Sequence, residues 1–375
     1  MINADQPHTP RGAVVTLANR PSEPLHEGAV HEQLARRLAV LQGMTFLGAY
    51  DRSVEYPQHL YFVPSGTIVG TSTARELGLD GEEDLFGGVV PQPFIETKAI
   101  SHPLVRPDAD APIGWSRDFV SRVIGSVLPG YSMFSLNDAR EAGRRLLHEG
   151  AVRLKPVRAT GGRGQERITT VQALDQALAH IDEKELAQYG LVLEANLEQV
   201  TTFSVGQIRV AGNTLSYYGT QRLTSDNSGE TVYGGSDLVV SNGDFDALLA
   251  LDLPEKVRLA VSQAQIYDDA ASACFRGFFA SRRNYDIAQG IDGRGRACSG
   301  VLEQSWRIGG ASGAEIAALD AFRQGARGAV RASTVEVYGE AQTIPDGATV
   351  LFRGEDAEVG FITKYVTVEA YGDAK

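Results

Sequence analysis

The sequence contains no run of about 18 or more apolar residues, so it offers no membrane-spanning helix. Its amino terminus, MINADQPHTPRGAVV, has no basic segment leading into an apolar core. That excludes a secretory signal as the reading of this end, which is expected to be a short disordered lead over residues 1–11 of a cytoplasmic protein. Cysteine is scarce: Cys274 and Cys298 lie far apart among apolar or small residues, favouring free thiols over a disulfide or a metal site. The histidines form no close-spaced cluster with one another, with cysteines or with carboxylates, so no zinc site is expected. Basic charge is also short, with 35 Lys and Arg against 47 Asp and Glu and a net charge of −12. A large acidic excess argues against a primary role on nucleic acid or an anionic membrane. It leaves nucleotide binding open, because a few local cations and backbone N–H groups suffice there. No internal repeat or low-complexity tract is present.

What is present is the pattern of a multi-lobed α/β protein. At 375 residues the chain exceeds what one hydrophobic core usually serves. Strands are expected at 12–18, 44–50 and 59–63, with a helix over 28–41 ended by Gly43; strand, helix, strand at this spacing predicts a small parallel sheet. A short helix is expected at 72–77. Residues 84–115, rich in Gly, Pro and Asp, read as a linker or covering loop. Helices follow at 116–127, capped by Ser116, and at 138–148, capped by Asn137 or Asp138. Strands at 151–157 and 165–169 flank a glycine-rich turn. A helix at 171–181 and a strand at 190–194 come next, then a hairpin of 200–211 and 213–224. The polar stretch 225–237 reads as a mobile loop able to close over a site. A helix at 254–273, strands at 275–281, 285–290 and 297–304, a helix at 313–327 and a β-rich tail complete the chain. The expected domains are 12–110, 111–197, 198–330 and 331–375.

Two groups of residues carry chemistry. The first is Lys155, on an apolar strand, followed by Thr160, Gly161, Gly162 and Gly164. No GK[ST] follows the glycines, and a strand comes next instead of a helix, so this is neither a P-loop nor a dinucleotide fingerprint. A glycine turn between antiparallel strands can still lie over phosphates, because without Cβ atoms the backbone N–H groups approach the anion closely. Lys155 would add a compact positive charge. A lone turn of this kind is more often a flexible hairpin with a solvated lysine. The second group is Asp286 with Glu303, Ser305 and Arg307. If 285–290 pairs with 297–304, the two carboxylates share one surface and can hold magnesium against a triphosphate. Arg307 could neutralise a transferred phosphate. Two solvent-facing acids on edge strands remain the plain alternative.

In this order the pieces resemble the ATP-grasp superfamily, which includes biotin carboxylase, D-alanine–D-alanine ligase and glycinamide ribonucleotide synthetase. The resemblance spans roughly Ser116 to Ser312, with an α/β lobe before it like the family's pre-ATP-grasp lobe. It implies an α/β fold of α+β lobes and an ATP site. Arg117, Lys155, Thr160, Gly161, Gly162, Gly164, Glu194 (on the ribose), Ala195 and Leu197 would contact the nucleotide. Asp286, Glu303 and Ser305 would hold Mg2+. Ser305 stands where the family has asparagine, Arg117 where lysine is common, and Glu194-Ala195 replaces the usual hinge pair. Over its full length the chain also resembles an uncharacterised proteobacterial group of ATP-grasp-like proteins.

The resemblance implies an ADP-forming ligase that activates a small-molecule or peptide carboxylate as an acyl phosphate and joins it to an amine or similar nucleophile. Lys155 and Arg307 would be catalytic, and Arg209, Arg222, Arg282 and Arg283 are candidates for the substrate carboxylate. A homodimer is the assembly such folds commonly form. Two other readings stand beside the ligase: a catalytically silent ATP-binding module that scaffolds a partner, and a kinase using the same site.

Overall fold

The computed structural model describes residues 12–158 and 164–371. The lead expected over 1–11, and Thr160, Gly161 and Gly162 of the glycine turn, lie outside the described residues.

The first lobe is the expected parallel unit. Strands β1 (Ala13–Leu17), β2 (Thr45–Ala49) and β3 (Leu60–Pro64) form a sheet of order β2-β1-β3, both pairings parallel. The helix Leu25–Gln42 buries Leu34, Ala35, Leu38, Ala39 and Leu41, a stripe at helical spacing. Gly43 ends it with φ +65, a left-handed conformation open to glycine, and its N–H bonds back to Ala39 and Val40. The stripe packs into one core with Ile208, Tyr217 and Val240 of the largest sheet and with Ile316 and Leu319 of the helix Ser312–Arg323.

Of the stretch expected as a linker or covering loop, 84–115, residues 85–102 are instead built into the interior, while 106–115 carry no helix or strand and are largely exposed. Strand β5 (Gly88–Val90) lies between β4 (Ile68–Val69), to which it is parallel, and β13 (Phe279–Ala280) from the distant large lobe, to which it is antiparallel. After β5 come two 3-10 turns, Pro93–Glu96 and Lys98–Ser101, whose Phe94, Ile95, Ala99 and Ile100 join the core of Phe119, Tyr267, Tyr285 and Trp306. Turns of three or four residues are too short to display a period, so composition alone suggested a loop.

A four-stranded antiparallel sheet follows, order β6-β9-β7-β8, from β6 (Gly130–Met133), β7 (Val152–Pro156), β8 (Glu166–Ile168) and β9 (Leu191–Ala195). Helices Leu136–Leu147 and Val171–Leu178 cover it. The first of these is capped by Ser135, not by Asn137 or Asp138: the Ser135 hydroxyl accepts from the Asp138 N–H and donates to the Asp138 carboxylate.

The largest sheet has order β15-β14-β10-β11-β12-β16-β18-β17. Its strands are β10 (Glu198–Val210), β11 (Asn213–Ser225), β12 (Thr231–Asn242), β14 (Arg282–Ile291), β15 (Ala297–Ser305), β16 (Ala329–Tyr338), β17 (Thr349–Asp356) and β18 (Gly360–Tyr371). The helix Glu255–Cys274 lays Val257, Val261, Ala264 and Tyr267 on one face of it. The mobile loop expected over 225–237 is mostly strand, since β11 and β12 pair out to Ser225 and Thr231. Asn227 in the remaining turn donates to the carbonyls of Val359 and Phe361, tying it to the β17–β18 hairpin. The β-rich tail continues the same sheet, with β16 paired to β12 and β18.

Candidate functional site

Strands β7 and β9 place Lys155 and Glu194 on one face, because Lys155 is registered with Val192 and Glu194 lies two residues further on. Lys155 Nζ donates to Glu194 Oε1 at 3.0 Å, and both side chains are 2% exposed. His102, fully buried, meets the other carboxylate oxygen through Nε2 at 3.2 Å. Burial alone would raise the Glu194 pKa; Lys155 and His102 outweigh it and hold the group at about 2. The glutamate expected on a ribose therefore has both oxygens engaged by protein cations or donors. Of the hinge backbone, Ala195 N–H donates to the Pro129 carbonyl, and the Leu197 side chain packs with Leu128 and Ala288. Gly164, at the foot of the turn, has φ +66. Arg117 is exposed and donates to the Pro107 carbonyl.

The second cluster sits where β14 and β15 run antiparallel at the edge of the large sheet. Asp286 and Glu303 are register partners beside a bulge, so the two carboxylates are neighbours. Burial, and then repulsion from Glu303, push Asp286 up from 3.8 to about 7. Gln221 donates to both its oxygens, at 3.3 and 3.4 Å. Two neighbouring acids that repel one another fit a divalent cation. Among the described residues no third His, Cys, Asp or Glu joins them. Two carboxylates are what magnesium usually takes from protein, the rest coming from water and phosphate oxygens, so these residues fit that ion. The hydroxyl of Ser305 accepts from Arg282 Nη1 at 3.3 Å. Arg307 follows the buried Trp306; burial, and then repulsion from Arg20 and Arg282, lower its pKa.

Three ionisable residues not singled out from the sequence belong here, all on the buried 93–102 segment. Lys98, 4% exposed, meets Glu303 at 2.6 Å. His102 meets Glu194, and Glu96 is attracted to Arg307 and Arg158. Gln304 fixes this segment against β15 by donating to the carbonyls of Ile95 and Thr97. Lys98 and His102 are four residues apart, so this one segment borders both the lysine–glutamate wall and the carboxylate pair. The signal was present as Glu96 and Lys98 standing among Phe94, Ile95, Ala99 and Ile100.

The four arginines expected on a substrate are not gathered. Arg282 and Glu315 form a buried pair, Nη2 to Oε1 2.8 Å, in which Tyr217 also donates to Glu315. Arg283 and Arg209 both bind Glu82 of the first lobe, and Arg283 also meets Asp268 at 3.1 Å. Arg222 pairs with Asp237 on the neighbouring strand at 2.8 Å.

Comparison with known proteins adds a family and a fold. The chain resembles the biotin carboxylase–beta-gamma-ATP complex from Campylobacter jejuni at 11% identity and a TM-score of 0.50, over 96% of this chain and 87% of that one. It is also similar to phosphoribosylamine–glycine ligase from Thermotoga maritima (13% identity, TM-score 0.48, 96% and 92% covered). A third similarity is to D-alanyl-alanine synthetase A from Vibrio cholerae (12% identity, TM-score 0.44, 80% and 89% covered). At such identities the likeness concerns the fold alone, and it rests on the biotin carboxylase. No curated protein sequence matches. A family profile matches residues 14–366. The chain has the ATP-grasp fold and belongs to the family described as protein of unknown function DUF3182.

Proposed function

We propose that the chain is an ATP-dependent, ADP-forming ligase that activates a carboxylate as an acyl phosphate and passes the acyl group to an amine or a similar nucleophile. The observation that carries this reading is the pair Asp286 and Glu303, registered on β14 and β15 with Arg307 beyond the strand end. Magnesium bound there would draw charge from the β- and γ-phosphates. Lys155 serves as the nucleotide-side cation, oriented by its bond to Glu194. The substrate carboxylate attacks the γ-phosphorus. Arg307, repelled by Arg20 and Arg282, would receive the acyl phosphate formed in that step. Lys98 lowers the negative charge around Glu303 and so keeps the carboxylate pair tolerable before metal arrives.

The test is ADP release with magnesium, followed across a panel of carboxylates and amines. Wild type is expected to form ADP together with a joined product, and Asp286→Asn to lose at least about 100-fold in rate, the scale of removing one preorganised electrostatic contact. Phosphate retained on the acceptor with no joined product would sink the ligase reading in favour of a kinase.

A further inference from the structure

A cavity of about 360 Å³ opens at the carboxyl-terminal ends of β1 and β3, beside the Trp306–Arg307 turn. In open parallel sheets this edge is where ligands bind, since the strand order reverses there and the loops diverge. β1 lies between β2 and β3, so the reversal falls at this cavity. Its floor is rigid: Asn19 accepts from Gly66 N–H at 2.7 Å and donates to the carbonyls of Gly66 and Thr67. Thr67 in turn donates to the Trp306 carbonyl at 3.4 Å, which joins the floor to the Trp306–Arg307 turn.

The walls carry opposite charges. Arg20 lines one side; it is paired with Glu23 and Glu27, yet its Nε is buried with no hydrogen-bond partner among the described residues. Arg20 and Arg307 also repel each other, which an anion between them would relieve. Glu96 lines another side, its carboxylate without a hydrogen bond or ion pair among the described residues; its charged neighbours are Arg307 and then Arg158. Burial lifts Glu96 to about 7, the range of a group that can take up a proton near neutrality. Between the charges the lining is mixed: Leu17, Ile68, Val69 and Leu77 stand beside Thr67, Thr73 and a second arginine, Arg52, which is paired with Glu76 at 3.8 Å. The volume sits at the small end of ligand sites.

We propose that this cavity seats the nucleophile, and that the nucleophile is a small α-amino acid whose ammonium lies on Glu96 and whose carboxylate lies on Arg20. The assignment rests on the ligase reading above and extends it to the second substrate. Glu96 takes one proton from the ammonium. The freed amine nitrogen attacks the acyl carbon, a C–N bond forms, and the C–O bond to phosphate breaks. The second proton leaves with the phosphate, so the products are an amide, inorganic phosphate and protonated Glu96. The volume of about 360 Å³ limits the side chain to a small one.

Calorimetric titration in the presence of a non-hydrolysable ATP analogue and magnesium tests this. The probes are glycine, L-alanine and D-alanine, with propionate and ethylamine as partners lacking one charge. At least one amino acid is expected to bind wild type. Propionate and ethylamine should bind at least about tenfold more weakly, and Glu96→Gln and Arg20→Met should each weaken the amino acid by about tenfold or more. Unchanged affinity of both variants for the ATP analogue shows that they fold and leaves the loss local. No amino acid binding to wild type, equal binding of the single-charge partners, or wild-type binding by both variants overturns the proposal. Failure of the nucleotide reading is separate: it appears as ATP-analogue affinity indifferent to Lys155→Ala.

Discussion

Glu194 is the side chain on which the proposed nucleotide wall depends, and its energetics are those of a buried ion pair. Removing one member of such a pair leaves an uncompensated charge, which costs about 3–5 kcal/mol. Glu194→Gln, which strands Lys155, is therefore expected to lower the unfolding free energy measured by urea denaturation at pH 7 by that amount. The sign with pH follows from the depressed pKa. Because the folded value of about 2 lies below the ordinary 4.5, this contribution is complete above pH 4.5 and is lost as pH falls toward 2. Asp286 has the opposite sign. Its folded pKa of about 7 exceeds 3.8, so without metal its ionisation costs stability progressively from pH 3.8 up to about 7. Asp286→Asn is expected to raise Tm at pH 8 without magnesium and to remove the rise in Tm that magnesium and ATP analogue give to wild type. A variant less stable than wild type in the absence of metal would refute that account. At this scale Lys155 was legible as a charge on an apolar strand, and Asp286 and Glu303 through the expected pairing of their two strands. Lys98 and His102 were not, since their partners Glu303 and Glu194 lie 205 and 92 residues away and only the fold brings them in.

Among the elements, the buried segment 93–102 and the turn before β6 hold the site's parts in place. Val301 N–H donates to the Ser126 carbonyl, and the chain at Val127-Leu128 runs so close over Gly300 that an added Cβ would lie 2.5 Å from the Val127 carbonyl carbon and the Leu128 nitrogen. Gly300→Ala must push these backbones apart, at a cost of about 1–3 kcal/mol. Chemical denaturation checks this, and a neutral result would mean that the contact is loose. The β7–β8 hairpin, β10–β11 and the parallel unit were readable from alternation, continuous apolar runs and turn residues. The β11–β12 extension was not, because a strand pair whose tip is polar on both faces has no apolar alternation to mark it. Its turn is tied by Asn227 to the far hairpin, which argues against the closing lid expected from composition.

For the whole molecule, what matters is how the first lobe is fastened to the large sheet. Glu82 reaches from the first lobe to Arg209 and Arg283, and helix Leu25–Gln42 shares a core with β10, β11 and β12. Glu82→Ala removes charge-assisted bonds to Arg283, itself 3% exposed, and is expected to cost about 2 kcal/mol. Hydrogen exchange should then quicken in β3 to β5; exchange unchanged there would show that the shared core alone fastens the lobes. The fold as a whole was legible through the order of its motifs, whereas the path of the chain between lobes was not, because it depends on β13 pairing with β5 across some 190 residues. The central claim is a magnesium-assisted ATP site between Lys155 and the Asp286–Glu303 pair. Titration of a non-hydrolysable ATP analogue, with and without magnesium, into wild type, Lys155→Ala and Asp286→Asn tests it most directly. The account predicts tighter binding with magnesium in wild type, at least about tenfold loss in Lys155→Ala, and no magnesium effect in Asp286→Asn. Undiminished affinity in Lys155→Ala, with magnesium dependence intact in Asp286→Asn, would contradict it.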